Sequence, residues 1–203
     1  MTRRLIIALG LLIALSGCGS PDASGDLSPS SSADISPNQT TSEERPVERS
    51  TGDGVFELLI RSPRQTWRAD EPIEVEAMLT YTGESEAVKV GGSGSGLVGF
   101  SLEQLDGPLD VEGVMTADCV PYEMVRGEPT NWPYKKSGGY SPSDPNDAPI
   151  EAFLQDPVFR LPVGAYVVRA NFTGLLAAFD YEPDDELHEL SVVFSLYVVG
   201  LWK

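Results

Sequence analysis

Ile73-Glu74-Val75-Glu76-Ala77-Met78-Leu79-Thr80-Tyr81-Thr82 decides the fold. Ile73, Val75, Ala77, Leu79 and Tyr81 are apolar, and Glu74, Glu76, Met78, Thr80 and Thr82 alternate with them. A two-residue period gives one dry and one wet face only in an extended chain, so this is a half-buried strand. Val98, Phe100 and Leu102 repeat the alternation briefly, and Tyr166, Val168, Ala170 and Phe172 repeat it at greater length. Leu190, Val192, Phe194, Leu196 and Val198 mark the longest strand. Thr82-Gly83, Asp106-Gly107-Pro108, Pro162-Val163-Gly164 and Thr173-Gly174 read as the turns between strands. No stretch of a dozen residues keeps a helical period, although Ile150 to Gln155 suits one turn. Many short antiparallel strands with Gly and Pro punctuation predict an all-β fold, a sandwich of two sheets.

Leu161-Pro162-Val163-Gly164-Ala165-Tyr166 sharpens that expectation. A glycine two residues before a tyrosine at the start of a late strand is similar to the tyrosine corner of immunoglobulin-like (Ig-like) domains. Gly164 and Tyr166 are therefore expected to be structural, with a positive φ at Gly164 making substitution there costly. Val168 stands where antibody domains carry their second cysteine, so the sandwich is expected to lack the inter-sheet disulfide. The second cysteine of the chain, Cys119, reads as a small buried hydrophobe, an intermolecular disulfide being the alternative.

Before Gly54 the chemistry changes. Gly19 to Asp53 is rich in Ser and Thr, is punctuated by Pro21, Pro29, Pro37 and Pro46, and has almost no large apolar residues. Such a segment buries too little surface to offset its ordering entropy and reads as a disordered tether. Upstream, Thr2-Arg3-Arg4 precedes an apolar run from Leu5 to Leu15. That run is about half the roughly 20 residues a membrane-crossing helix needs, so it reads as an export signal. The expected organisation is a signal peptide over 1–17, a linker over 18–53 and a β-sandwich domain over 54–203.

Leu15-Ser16-Gly17-Cys18 resembles the lipobox of bacterial lipoproteins. The resemblance implies cleavage before Cys18, a diacylglycerol on its thiol, and a membrane anchor facing the extracytoplasmic side. Ala14-Leu15-Ser16 leaves open an ordinary cleavage site and a free secreted protein. The chain carries a formal charge of −17. That balance repels nucleic acid and anionic headgroups, so membrane contact is expected through the lipid alone. The strand pattern from Glu71 to Gly83, then Gly99-Phe100-Ser101-Leu102 and Leu161 to Tyr166, resembles BsuPI-type proteinase-inhibitor domains. It resembles more closely a group of uncharacterised bacterial surface lipoproteins with a segment like Lys136-Ser137-Gly138-Gly139-Tyr140. Loose strand patterns of this kind transfer a fold better than an activity.

Candidate chemistry is sparse. Gly94-Ser95-Gly96-Leu97-Val98-Gly99 fits a dinucleotide-binding pattern, but the strand Phe100-Ser101-Leu102 follows where a helix N-terminus is needed, so it reads as a hairpin loop. His188, the only histidine, lies in the acidic run Asp184-Asp185-Glu186-Leu187-His188-Glu189 and reads as solvated, with no nucleophile motif to serve. Asp180, Glu182 and Asp184 have the spacing of a calcium loop without its glycine and glutamate, and a solvated acidic loop is expected. Arg126 to Pro149 reads as a long loop joining Trp132, Tyr134 and Tyr140 with Lys135 and Lys136. It is the candidate recognition surface for a protein or cell-envelope glycan, the competing reading being that its aromatics cap one end of the sandwich. The expected function is a non-catalytic binding domain displayed on the cell surface, with no cofactor and no metal. A protease-inhibitor module and a carboxylate-dependent glycan-active enzyme are the alternatives.

Overall fold

In a computed structural model the described residues are 46–176 and 186–200. They form a β-sandwich. In chain order the elements are β1 (Val47–Gly52), β2 (Phe56–Ser62), β3 (Thr66–Arg68), β4 (Glu76–Tyr81), β5 (Ala87–Gly92), β6 (Val98–Gln104), β7 (Asp110–Val111), β8 (Val120–Val125) and β9 (Pro129–Pro133). A short 3-10 turn (Pro145–Asp147), α1 (Ala148–Gln155), β10 (Gly164–Leu176) and β11 (Glu186–Val199) complete the list. Among the described residues no helix is long and apolar enough to cross a membrane.

The smaller sheet has the order β1-β2-β4-β9, all antiparallel. The larger is built on the long pair β10 and β11, matched from Gly164↔Val198 to Leu176↔Glu186. β3 lies parallel on the outer edge of β11, the one departure from antiparallel pairing among the ladders. Its direction follows from its origin: Pro63 and the residues after it carry the chain straight from β2 in one sheet to β3 in the other. On the far side of β10, β6 pairs with Tyr166 to Phe172 and β5 with Leu175 and Leu176. β5 and β6 therefore follow one another along one edge of β10, and Ser93 to Gly96 is a tight step between them, not a hairpin loop. Gly96 has φ +133°, and a Cβ there would lie 2.7 Å from the Trp132 ring. Glycine at that point serves close packing. Asp118 accepts the Gly94 N–H at 3.0 Å, and the Ser93 hydroxyl meets those of Ser95 and Thr116 at 2.7 and 2.8 Å, which pins the step.

The inward residues of both sheets make one core, including Phe56, Leu58, Ile60 and Leu79 from the smaller and Phe100, Tyr166, Val168, Phe172 and Leu196 from the larger. Fully burying a side chain of this size contributes about 1.5–3 kcal/mol. Tyr166 is completely buried, and its hydroxyl donates to the Pro162 carbonyl at 2.9 Å, the tyrosine corner expected of an Ig-like sandwich. Burial and the nearby Asp106 carboxylate push that phenol up to about 12. Gly164 is not among the glycines with positive φ. Its requirement is space, since a Cβ would lie 2.7 Å from the Gln104 side chain and 2.8 Å from Asp106.

Several sequence expectations are corrected. β1 starts at Val47, inside the segment whose composition suggests a linker through Asp53. Pairing with β2 compensates for its lack of apolar residues. Thr173-Gly174 is not a turn: β10 runs on to Leu176, and Gly174 pairs with His188 beneath the Phe172 ring, 2.6 Å from where a Cβ would stand. α1 has eight residues where one turn is expected. Cys119 is exposed, not buried. Cys18, and Asp180, Glu182 and Asp184, lie outside the described residues.

Candidate functional site

β9 sits at the edge of the smaller sheet, with prolines at both ends, where a missing N–H is tolerated. Its register with β4 places Trp132 opposite Ala77. Ala77 is fully buried, so Trp132 shares its inward side. The chain continues extended, the Tyr134 N–H donating to the Val75 carbonyl at 2.8 Å. Tyr134 thus also faces inward, stacked on Phe159 at 3.9 Å and 5.1 Å from Phe100. Burial drives its phenol well above the usual range. Trp132 packs edge-on against Tyr122, and its indole N–H is buried without a hydrogen-bond partner among the described residues.

Lys136 is likewise diverted from recognition. Its ammonium donates to the carbonyls of Phe153 at 2.6 Å and Asp156 at 2.8 Å and lies 4.1 Å over the Phe153 ring. It caps the C-terminus of α1, where the carbonyls lack intrahelical partners and the helix dipole favours a cation. Burial lowers its pKa, against the pull of Asp156. Lys135 is exposed and Tyr140 half-buried. The five side chains of the expected recognition loop therefore do not form one surface: Trp132 and Tyr134 belong to the core side and Lys136 to a helix cap.

The same segment helps to wall a groove. Pro133 and Tyr134 meet Ile73, Val75, Pro63 and Pro46 around an apolar depression of about 570 Å³ at one end of the smaller sheet. Ser62, almost fully buried on its wall, shares its one hydroxyl proton between the carbonyls of Glu74 at 2.7 Å and Arg64 at 2.9 Å, so its hydroxyl is spent internally. Glu48, Glu74 and Glu76 stand on the rim with Arg61, which is held by Glu76 at 2.7 Å. The groove offers apolar walls and a rim with excess negative charge. A second apolar depression, of about 590 Å³, lies beside α1 and is lined by Leu109, Phe153 and Leu161.

His188 is not solvated. The long strand reaches back to Glu186, and its alternation turns His188 inward, where it is 5% exposed and edge-on to Phe56 at 5.1 Å. Its Nδ1 donates to Asp53 Oδ2 at 2.6 Å, while Asp53 Oδ1 accepts the N–H groups of Val55 and Phe56 at 2.8 Å each. Burial raises the Asp53 carboxyl, but the Phe56 N–H, His188 and the Val55 N–H together hold it below its ordinary value. Composition hides Asp53 because it ends the expected linker. Asp53-Gly54 is nonetheless a strong hairpin signal, and Asp53 closes the turn between β1 and β2. Among the described residues no Ser, Thr or Cys hydrogen-bonds His188, and no group of three or more His, Cys, Asp and Glu is placed to hold a metal.

Compared with known protein families, with curated proteins and with solved structures, the chain gives no match in any of the three.

Proposed function

We propose that the protein is an exported, lipid-anchored binding domain that acts on the extracytoplasmic side of a bacterial membrane and performs no catalysis. The location rests on Cys18 behind Leu15-Ser16-Gly17. Two acyl chains on one cysteine anchor stably where a single one does so only marginally. The binding role is carried by one observation, the groove of Pro46, Pro63, Ile73, Val75, Pro133 and Tyr134 with its acidic rim. A concave apolar surface with a few polar groups at its edge is the usual form of a binding site. Its walls are the segments that flank the ends of β1, β2, β4 and β9 at one end of the smaller sheet, and its charge selects an apolar segment carrying Lys or Arg. The reading makes no use of Lys135 and Lys136 as a recognition pair, because Lys136 is committed to α1. The sole histidine, tied to Asp53 in the core, supports the non-catalytic reading.

Two experiments test the two halves. Cys18→Ser should abolish partitioning of the protein into the detergent phase, and a wild-type protein wholly in the aqueous phase would defeat the anchoring. For the groove, peptides from a random library are selected on the full-length protein in nanodiscs. Selected peptides should combine apolar and basic residues and lose at least about tenfold in affinity with Glu74→Lys, equivalent to about 1.4 kcal/mol. Peptides indifferent to Glu74→Lys would defeat the assignment.

A further inference from the structure

The second apolar depression, of about 590 Å³ beside α1, lies next to the last described residue, Gly200. Two of its lining residues, Ala69 and Pro162, flank that point. The Ala69 N–H donates to the Val199 carbonyl at 3.2 Å, and a Cβ on Gly200 would stand 3.8 Å from Val163, the residue after Pro162. The register points the same way. Gly164 pairs with Val198, so continuing the ladder sets Pro162 against Gly200 and Arg160, another lining residue, against position 202.

Leu201-Trp202-Lys203 follows Gly200 in the sequence. Along β11 the even-numbered positions from His188 to Val198 turn inward, and position 202 has their parity. Two extended residues add about 7 Å of reach to a backbone already beside the walls. The floor, of Leu109, Phe153 and Leu161, is buried and apolar and suits an indole, the side chain with the largest apolar surface to hide. The rim carries one charge of each sign, Asp156 and Arg160, paired at 3.6 Å. A guanidinium stacks on an indole, and a carboxylate attracts the ammonium of the lysine that follows it. An occupant held by so short a link meets the depression at an effective concentration of order mM, which an external ligand of the same chemistry has to exceed.

We propose that the depression beside α1 is the seat of this chain's own segment Leu201-Trp202-Lys203, with Trp202 in the apolar hollow against Arg160 and Lys203 at Asp156. The depression is then closed from within and is no second ligand site. This is independent of the groove, which belongs to the smaller sheet.

Thiol alkylation of the full-length protein in nanodiscs tests this. Ala152→Cys sets a thiol on the α1 wall in a Cys119→Ser background, and its rate with N-ethylmaleimide is read by peptide mass spectrometry, apart from Cys18. Adding Trp202→Ala should raise that rate about tenfold or more, equivalent to about 1.4 kcal/mol of docking. Trp202→Phe, which keeps a ring, should raise it less. Glu57→Cys, on the outer side of the smaller sheet, should react alike with and without Trp202→Ala. A second reading uses the unaltered chain: Trp202 should be oxidised by hydroxyl radicals far more slowly in the folded protein than in urea, at every protein concentration. Equal Ala152→Cys rates with and without Trp202, or a Trp202 as reactive folded as unfolded, would overturn the proposal. So would protection of Trp202 that is lost on dilution, which would make a second copy the partner.

Discussion

β9 with the residue that follows it, and β11, both carry aromatic side chains close to the surface, and Trp132 and Tyr134 are turned the opposite way from Tyr197. Trp132 and Tyr134, which stand among prolines and lysines, are turned inward by the Ala77↔Trp132 register and the bond from Tyr134 to Val75. Tyr197 and Val193 belong to the longest apolar strand yet are turned outward, because their alternate neighbours Leu196 and Val192 take the core side. A strand has two faces, and one residue of register exchanges them. Composition identifies which residues are apolar, while the neighbouring strand decides which of them are seen by a partner.

That contrast is open to attack at measurable points. The largest effect is expected at Tyr134→Ala, which removes a ring stacked on Phe159. Aromatic-to-alanine changes in cores cost about 3–5 kcal/mol. A loss of under about 1 kcal/mol in urea titration would return Tyr134 to the surface.

Gly96→Ala should cost about 1–3 kcal/mol, since it forces a side chain into a left-handed backbone against the Trp132 ring. Trp132 fluorescence should shift with it. An unchanged midpoint would mean that Trp132 is not packed beneath this step.

Asp53→Asn examines the inward end of β11 and should cost about 1–3 kcal/mol at neutral pH. The Asp53 pKa is held below 3.8 in the folded protein. Its contribution is therefore complete above the ordinary carboxylate range and is lost as the pH falls through the folded value. Asp53→Asn should flatten the decline of stability on that acid side, measured as urea midpoints against pH. Parallel curves for the two proteins would exclude the linkage. The smallest effect belongs to Tyr197→Ala, within about 0.5 kcal/mol, against the large loss at Tyr134.

The sandwich was legible because the alternations at Ile73–Tyr81, Tyr166–Phe172 and Leu190–Val198 are long and regular. The tyrosine corner was legible because Gly164 and Tyr166 act locally. Long-range pairing was not legible. Nothing in Val47-Glu48-Arg49-Ser50-Thr51-Gly52 announces a strand until β2 is placed beside it. Thr173-Gly174 carries the signature of a turn, but Phe172 and Val90 close over Gly174 from outside that dipeptide. Lys136 reads as a recognition cation in sequence because its acceptors, the carbonyls of Phe153 and Asp156, lie 17 and 20 residues away. The groove was half legible: Pro133 and Tyr134 fall in the expected recognition segment, while Pro46, Pro63 and Ile73 reach it only through the fold.

Hydroxyl-radical footprinting of the native protein, read residue by residue by mass spectrometry, tests the opposed sidedness of β9 and β11 most directly. Tyr197 should be oxidised readily and Trp132 and Tyr134 protected until the protein unfolds. Rapid oxidation of Trp132 and Tyr134 in the folded protein, with Tyr197 protected, would contradict the account.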